Sequence, residues 1–194
     1  MGSLVAGAAA ATGTGAFTSV TADRGLDVTI EDDNSAMLGL GPAPGNSNHP
    51  NAAYLTSDGS SGEIDIDVSN VNTDAETWID SLFQITNNGT QDIWVWFTLT
   101  GNGFKTQVYF YPDDDRSETL TTYGSNGGAV SSQGASRVAQ KIPTGQSVTV
   151  GMFLDVEDGM MGSKFGNGEL RIHAVTDSND VPSNFTAESS TSGT

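Results

Sequence analysis

The sequence contains no cysteine and little positive charge. Without cysteine the chain has no disulfide bonds, no thiolate metal site and no cysteine nucleophile. Seven lysine and arginine residues stand against 24 aspartate and glutamate residues, a formal net charge of −17 at pH 7. Such a surface repels polyphosphates and anionic lipids, so neither nucleic acid nor an acidic membrane surface is expected as a partner. Because high salt screens this repulsion, the composition is typical of a halophilic protein.

The sequence also lacks the signatures of common catalytic sites. It has no His-Glu-x-x-His zinc motif and no Gly-x-Ser-x-Gly nucleophile elbow, and its only histidines are His49 and His173. No enzymatic activity and no cofactor are therefore expected, and a hydrolase is the least favoured function. The acidic run Asp113, Asp114 and Asp115 is a weak candidate for binding calcium through carboxylate oxygens, and the alternative is a solvated acidic surface.

Long hydrophobic runs are absent except near the start of the chain. Residues 4–17, LVAGAAAATGTGAF, carry no charge, but this run of 14 residues is shorter than the roughly 20 needed to span a bilayer. It fits the apolar part of an export signal whose basic front is missing from MGSL. Residues 1–22 are therefore predicted to be an N-terminally truncated export signal. This predicts an extracellular or cell-surface protein with no stable membrane span in its mature form. The alternative is a helix or tail of small residues.

Alternation of apolar and polar residues, the period of a β-strand, recurs along the rest of the chain. The clearest runs are residues 26–31, 62–68, 91–100, 106–111, 147–156 and 169–175. Asn88-Gly89 predicts a tight hairpin turn between two strands. The one helix candidate is residues 72–83, where Trp78 and Leu82 stand four residues apart. These features predict an all-β fold, a jelly-roll-like two-sheet β-sandwich with at most one or two short helices.

The predicted domain boundaries follow from composition. After the export signal, residues 23–176 contain all the predicted strands and are expected to form one β-sandwich domain. Residues 177–194 are polar and rich in serine and threonine, and they are expected to form a flexible tail.

Two Asn-x-Thr sequons are present, and both asparagines are candidate N-glycosylation sites in an exported protein. Asn88 lies in the predicted hairpin turn, which is expected to be exposed, and Asn184 lies in the predicted tail. For Asn88 the alternative is that its side chain serves only to form the turn.

Aromatic residues share one face of two predicted strands. Trp94 and Trp96 lie on the same face of one strand, and Tyr109 and Tyr111 lie on the same face of the next. Together they predict an aromatic contact face, which is either covered within the monomer or used in a subunit contact. Contact with a sugar or an envelope polymer is a further use of such a face.

Four segments resemble small secreted domains of unknown function that are common in halophilic archaea. They are GTGAFTSVTADR (13–24), LFQITNNGTQDIWVWF (82–97), IPTGQSVTVGMFLDV (142–156) and GELRIHAVT (168–176). More distantly, the order of these segments is similar to that in the TasA/camelysin group, which includes biofilm-matrix fibre subunits and archaeal bundling-pilus subunits.

The TasA-like resemblance implies a secreted jelly-roll protein that polymerises by donating an N-terminal strand to its neighbour. The strand-donation candidates in this sequence are Phe17, Val20, Leu26, Val28 and Ile30. The chain is therefore expected to be a non-enzymatic structural protein of the cell surface or extracellular matrix of a halophilic archaeon, self-associating into filaments. The alternative is an extracellular module that binds carbohydrate or an envelope polymer.

Overall fold

Two β-sheets packed face to face make up the computed structural model, which describes residues 25–30, 38–43, 50–57, 64–68, 71, 75–100, 108–113, 115–123, 134–155 and 169–189. The larger sheet contains β1 (Gly25–Ile30), β3 (Leu55–Ser57), β4 (Ile64–Asp67), β6 (Ile93–Thr100), β8 (Glu118–Thr119), β9 (Thr121–Tyr123), β10 (Ser136–Ile142), β12 (Glu169–Val175) and β13 (Thr186–Ala187). The smaller sheet contains β2 (Leu38–Pro42), β5 (Glu76–Asn87), β7 (Val108–Pro112) and β11 (Ser147–Asp155). The short 3-10 helices are Pro50–Tyr54 and Ser178–Asp180. The prediction of an all-β two-sheet sandwich is confirmed.

The strand order shows that the chain passes repeatedly from one sheet to the other. The larger sheet has the order β13-β10-β6-β12-β1-β4-β3, with β8 beside β10 and β9 beside β6, and the smaller sheet has the order β2-β5-β11-β7. Two crossings lie side by side, because β5 and β11 are neighbours in the smaller sheet while β6 and β10 are neighbours in the larger one. Strand β1 lies parallel to β12 and antiparallel to β4.

The main core lies between the sheets and is built from the inward-facing residues of their strands. On β6 the inward residues are Ile93, Val95, Phe97 and Leu99, as the alternation in the sequence predicts. Phe97 packs against Phe110 of β7, with ring centroids 5.6 Å apart. Each large apolar side chain buried in this way contributes about 1.5–3 kcal/mol, so this layer holds the two sheets together.

The predicted helix at residues 72–83 is wrong, because most of this segment belongs to strand β5. The strand is irregular at Ser81, whose φ is 49°, where the pairing with β11 shifts around Gly151. The irregularity places Trp78 on the outer face of the smaller sheet and Leu82 in the core. Their spacing of four residues, which suggested one face of a helix, is therefore produced by a bulged strand.

The predicted flexible tail is folded over most of its length. Within residues 177–189, β13 pairs in parallel with β10 at one end of the larger sheet. Phe185, which is 8% exposed, packs on the outer face of that sheet. The Asp177 carboxylate caps a 3-10 helix by accepting a hydrogen bond from the backbone N–H of Asn179. The folded domain therefore extends past the predicted boundary at residue 176. Composition misled the prediction because a buried aromatic side chain together with a few hydrogen bonds anchors a segment that is otherwise polar.

Candidate functional site

The four aromatic residues predicted to form one contact face lie on opposite outer faces of the sandwich. Trp94 and Trp96 project from β6 on the outer face of the larger sheet. Tyr109 and Tyr111 project from β7 on the outer face of the smaller sheet. The alternation of each strand is as predicted, but the two strands belong to different sheets. The single aromatic face is therefore wrong, and the molecule has two separate aromatic clusters.

The aromatic cluster on the smaller sheet, which we call the Trp78 cluster, consists of Trp78, Tyr109, Tyr111 and Phe153. The Trp78 ring centroid lies 4.5 Å from that of Phe153 and 5.5 Å from that of Tyr111. The other three rings are at most 1% exposed, so Trp78 forms the outer layer. The Arg116 guanidinium carbon lies 4.9 Å from the Trp78 ring centroid. A cation of the same chain thus lies over the ring on which a ligand would have to stack.

Asp80 joins the Trp78 cluster to Arg116. The Tyr111 hydroxyl donates to Asp80 Oδ1 (2.7 Å), and Arg116 donates from Nε to Oδ1 (3.1 Å) and from Nη2 to Oδ2 (2.5 Å). Partial burial acts to raise the pKa of Asp80, but the hydrogen bonds from Arg116 and Tyr111 and the charge of Arg116 outweigh it, so the pKa is lowered. The resulting stabilisation is present above the ordinary pKa of aspartate and is lost as the pH falls through the lowered pKa.

Removing the Tyr109 hydroxyl is expected to stabilise the protein, whereas removing the Tyr111 hydroxyl is expected to destabilise it. Within the described residues the buried Tyr109 hydroxyl has no hydrogen-bond partner, and burial, together with the charge of Glu76, raises its pKa to about 12. We expect Tyr109→Phe to gain about 1 kcal/mol of unfolding free energy and Tyr111→Phe, which loses a bond to a carboxylate, to lose about 1 kcal/mol. Urea denaturation in one high-salt buffer measures both. Equal losses in the two variants would contradict this account.

The aromatic cluster on the larger sheet, which we call the Trp96 cluster, is covered by the C-terminal segment of the same chain. The Trp96 ring stacks on His173, with centroids 5.1 Å apart and 7° between the planes, and packs against Phe185 at 6.2 Å. The Trp94 indole N–H donates to the backbone carbonyl of Glu188 (2.8 Å). Trp96 is 7% exposed, so a sugar can stack on it only where this segment moves away.

Trp94, at the edge of the Trp96 cluster, is half-buried and lies beneath a cation. Lys141 Nζ is 5.4 Å from the Trp94 ring centroid and forms an ion pair with Asp92 Oδ2 at 2.8 Å. The hydrogen bond from Lys141, helped by one from the backbone N–H of Thr144, lowers the pKa of Asp92. Both tryptophans are thus in contact with covering groups from their own chain.

The calcium candidates take part in the turn that follows β7. Asp113 Oδ1 accepts hydrogen bonds from the backbone N–H and the hydroxyl of Thr149 (3.1 and 3.3 Å). Asp115 Oδ1 accepts from the backbone N–H and the hydroxyl of Ser117 (2.9 and 2.6 Å). Asp114 lies outside the described residues. In the part of the chain that the structure describes, no group of three or more His, Asp or Glu side chains is arranged to hold a metal ion. Calcium binding at this run stays a prediction.

Of the two histidines, His173 lies in the larger sheet and makes two side-chain contacts. On β12, His173 places Nε2 3.0 Å from the Thr98 hydroxyl oxygen in addition to stacking on Trp96. These contacts explain His173 as a packing residue of the larger sheet. His49 lies outside the described residues.

The two glycosylation candidates have different surroundings. Asn88 and Thr90 of the first sequon are both exposed in the turn between β5 and β6. Asn184 is also exposed, but the next residue, Phe185, is buried, and Asn184 Nδ2 donates to the Thr122 hydroxyl (3.4 Å). Both acceptor residues of the first sequon are therefore exposed, whereas the second sequon contains a buried residue.

The strand-donation candidates fall into two groups. Phe17 and Val20 lie outside the described residues, as do the predicted export signal and the last residues of the predicted tail. Leu26, Val28 and Ile30 belong to β1, which is a central strand of the larger sheet, between β12 and β4. The sequence predicted a strand here but gave no indication of its neighbours.

Sequence reasoning missed Asp80 and Arg116, which hold the Trp78 cluster in place. Asp80 falls in the predicted helix, and that prediction does not place its side chain near β7. The available signal was Arg116 itself, one of the few basic residues and the one that directly follows the acidic run at 113–115.

Within the described residues, no helix is long and apolar enough to cross a membrane. No protein-family model matches the chain, and no curated protein matches it either.

Proposed function

We propose that the protein is a non-enzymatic, secreted structural subunit of the cell surface or extracellular matrix of a halophilic archaeon, which forms filaments by exchanging strand β1 between copies. The observation that best supports this function is the position of β1. Although it is the first strand of the described chain, it lies between β12 and β4 and not at an edge of the larger sheet. An N-terminal segment that fills a central position is suited to replacement by the same segment of another copy.

Withdrawal of β1 opens a slot with two unpaired edges. The register pairs Val28 with Leu170 of β12 and Leu26 with Ile66 of β4, and the backbone groups of both neighbours lose partners when β1 leaves. The β1 segment of a second copy has the same sequence and restores the same register. Because each copy donates one strand and accepts one, the contact is head-to-tail, and it produces a filament where it does not close into a ring.

Disulfide trapping tests this function directly, because the natural chain has no cysteine. The double variant Leu26→Cys, Ile66→Cys places one thiol on β1 and the other opposite it on β4. A second double variant, Asp27→Cys, Asp65→Cys, uses the next register pair, since successive antiparallel pairs alternate in geometry and one of them suits a disulfide better. Strand exchange predicts a covalent ladder of multimers on a non-reducing gel after oxidation at multimolar salt.

The matched control is Thr86→Cys, Ser147→Cys, which joins register partners on β5 and β11, two strands that the proposal does not exchange. This variant is expected to run as a monomer under the same conditions. Electron microscopy of the same samples shows whether filaments are present. The proposed function is wrong where no assemblies form at multimolar salt, or where filaments form and the β1 disulfides stay within single chains.

We further propose that Asn88 carries an N-linked glycan in the secreted protein, on the strength of its exposure in the β5–β6 turn. Thr90 of the same sequon is equally accessible. In protein purified from its natural source, Asn88→Gln is expected to lower the intact mass by one glycan, and Asn184→Gln, the matched control, is expected to leave the mass almost unchanged. An intact mass equal to that of the bare polypeptide would contradict this proposal.

Carbohydrate binding through the aromatic residues remains the alternative function. It has weaker support, because Arg116 lies over Trp78 and the C-terminal segment covers Trp96. The discriminating variant is Trp94→Ala, since Trp94 is the more exposed tryptophan of the Trp96 cluster. Loss of glycan binding by a folded Trp94→Ala protein would favour the alternative.

A further inference from the structure

The C-terminal segment that covers the larger sheet, residues 177–189, is held by a small number of contacts, and we call it the strap. Its one buried large side chain is Phe185, which packs on Trp96. Its strand β13 contains only two residues. Beyond β13, the Glu188 N–H donates to the Ala139 carbonyl of β10 (3.0 Å), and the Glu188 carbonyl accepts from the Trp94 indole (2.8 Å). Short segments with few buried contacts open at lower free energy than the core.

The strap is negatively charged and docks beside other acidic groups. It contains Asp177, Asp180 and Glu188 and no basic residue. Glu118 belongs to β8, which pairs with β10, the strand that also pairs with β13. Partial burial raises the pKa of Glu118, and the negative charges of Glu188, Asp115 and Asp113 raise it further. The strap therefore docks against electrostatic repulsion.

Two positively charged residues lie on β10, the strand that receives the strap. The basic residues of β10 are Arg137 and Lys141. Lys141 is paired with Asp92, and Arg116, in the turn before β8, is paired with Asp80. Docking of the strap thus depends on the packing of Phe185 and Val181, on the hydrogen bond from Asn184 to Thr122, on its backbone hydrogen bonds and on the screening of acidic charge by salt.

We propose that the strap is a salt-dependent latch, which stays docked at high ionic strength and detaches at low ionic strength before the sandwich unfolds. Detachment uncovers Trp94 and Trp96 and leaves backbone groups of β10 without partners, a surface suited to association with another strand. The sandwich stays folded at lower salt concentrations than the strap stays docked, because β11 lies between β5 and β7 and its residues Val148–Leu154 are almost all buried. This inference is independent of β1 exchange, since it concerns the opposite end of the chain and other strands.

Hydrogen–deuterium exchange of the full chain tests the latch as KCl is lowered from about 3 M to about 0.3 M. Peptides from residues 181–189 are expected to lose protection at a salt concentration where peptides from β11 are still protected. Glu118 and Glu188 repel each other. Removing either charge, in Glu118→Gln or Glu188→Gln, is expected to slow hydrogen exchange in the strap peptides at low salt by roughly two- to fivefold.

The matched control is Glu76→Gln, which removes the same charge from β5, in the other sheet. It removes one negative charge, as Glu118→Gln and Glu188→Gln do, so it separates a local effect on the strap from a general gain of stability. Loss of protection by the strap and β11 together at every salt concentration would overturn the latch. So would equal effects of Glu118→Gln and Glu76→Gln on strap exchange.

Acidification at low salt is expected to restore docking in the natural protein. Because the pKa of Glu118 is raised by folding, its contribution to stability is most favourable below the ordinary pKa of glutamate and is lost as the pH rises through the raised pKa. The protection of the strap peptides, which is the intrinsic exchange rate of an unfolded peptide at the same pH divided by their observed rate, is therefore expected to increase as the pH falls through this range. Glu118→Gln should reduce the response, and an unchanged pH dependence in this variant would contradict the role of Glu118.

Discussion

Asn87→Ala is expected to lower the free energy of unfolding by about 3–4 kcal/mol, the largest effect that we predict for a single alanine substitution. Asn87 ends β5 and is 2% exposed. Its side-chain Nδ2 donates to the backbone carbonyls of Gln91 (2.8 Å) and Ile142 (2.9 Å). Its Oδ1 accepts from the backbone N–H of Gly89 (2.9 Å). One side chain thus joins the turn after β5 to the end of β10.

The size of the effect follows from where these bonds lie. The backbone of Asn87 also bonds to the turn between β10 and β11. Its N–H donates to the Gln146 carbonyl (2.9 Å), and its carbonyl accepts from the Gly145 N–H (2.9 Å). The two crossings between the sheets are therefore fastened to each other at this residue. Alanine leaves the buried Ile142 carbonyl without this donor, which costs about 1–3 kcal/mol. It also removes the part-buried hydrogen bonds to Gln91 and Gly89, each of which contributes about 0.5–1.5 kcal/mol.

Two further variants separate hydrogen bonding from side-chain shape. Asn87→Asp keeps the shape but replaces the donating group with a charged acceptor that faces two carbonyl oxygens, so it is expected to destabilise at least as much as alanine at neutral pH. Asn88→Ala changes the neighbouring exposed residue and is expected to cost less than about 1 kcal/mol. Urea denaturation of all three in one high-salt buffer gives the comparison. Similar losses for Asn87→Ala and Asn88→Ala would contradict this role for Asn87.

The sequence predicted which residues of a strand face inward, but it did not predict which sheet the strand joins. Alternation along β6 and β7 is a local pattern, and the structure reproduces it at Val95, Trp96, Tyr109 and Phe110. Membership of a sheet depends on pairing with distant strands, which no local pattern records. For this reason the tryptophans of β6 and the tyrosines of β7 were wrongly placed on one face.

Irregular and polar segments were the other source of error. In β5 the bulge at Ser81 changes the period, so Trp78 and Leu82 imitate a helical face while lying on opposite sides of a strand. The polar composition of the strap suggests disorder, yet Phe185 packs against Trp96 of β6, a strand far away in the sequence. Both errors arise because the stabilising partner is distant along the chain.

Gly151→Ala is expected to destabilise the protein by about 2–3 kcal/mol, because the Tyr111 ring occupies the space that a Cβ needs. An ideal Cβ at position 151 would lie 2.4 Å from Tyr111 Cε2 and Cζ. Tyr111 is the register partner of Gly151 across β7 and β11, and its hydroxyl donates to Asp80. Urea denaturation measures the loss, and Gly41→Ala is the matched control, since an ideal Cβ at Gly41 meets nothing within 4 Å.

A double-mutant cycle decides whether the ring is the cause. In the Tyr111→Ala background the clash is absent, so adding Gly151→Ala is expected to cost less than about 0.5 kcal/mol, a coupling of at least about 1.5 kcal/mol between the two positions. Additive losses would show that Gly151 is required for another reason. The coupling is expected because a residue without a side chain lets the tyrosine ring lie on the backbone of β11. From there its hydroxyl reaches Asp80, and Asp80 in turn holds Arg116 over Trp78.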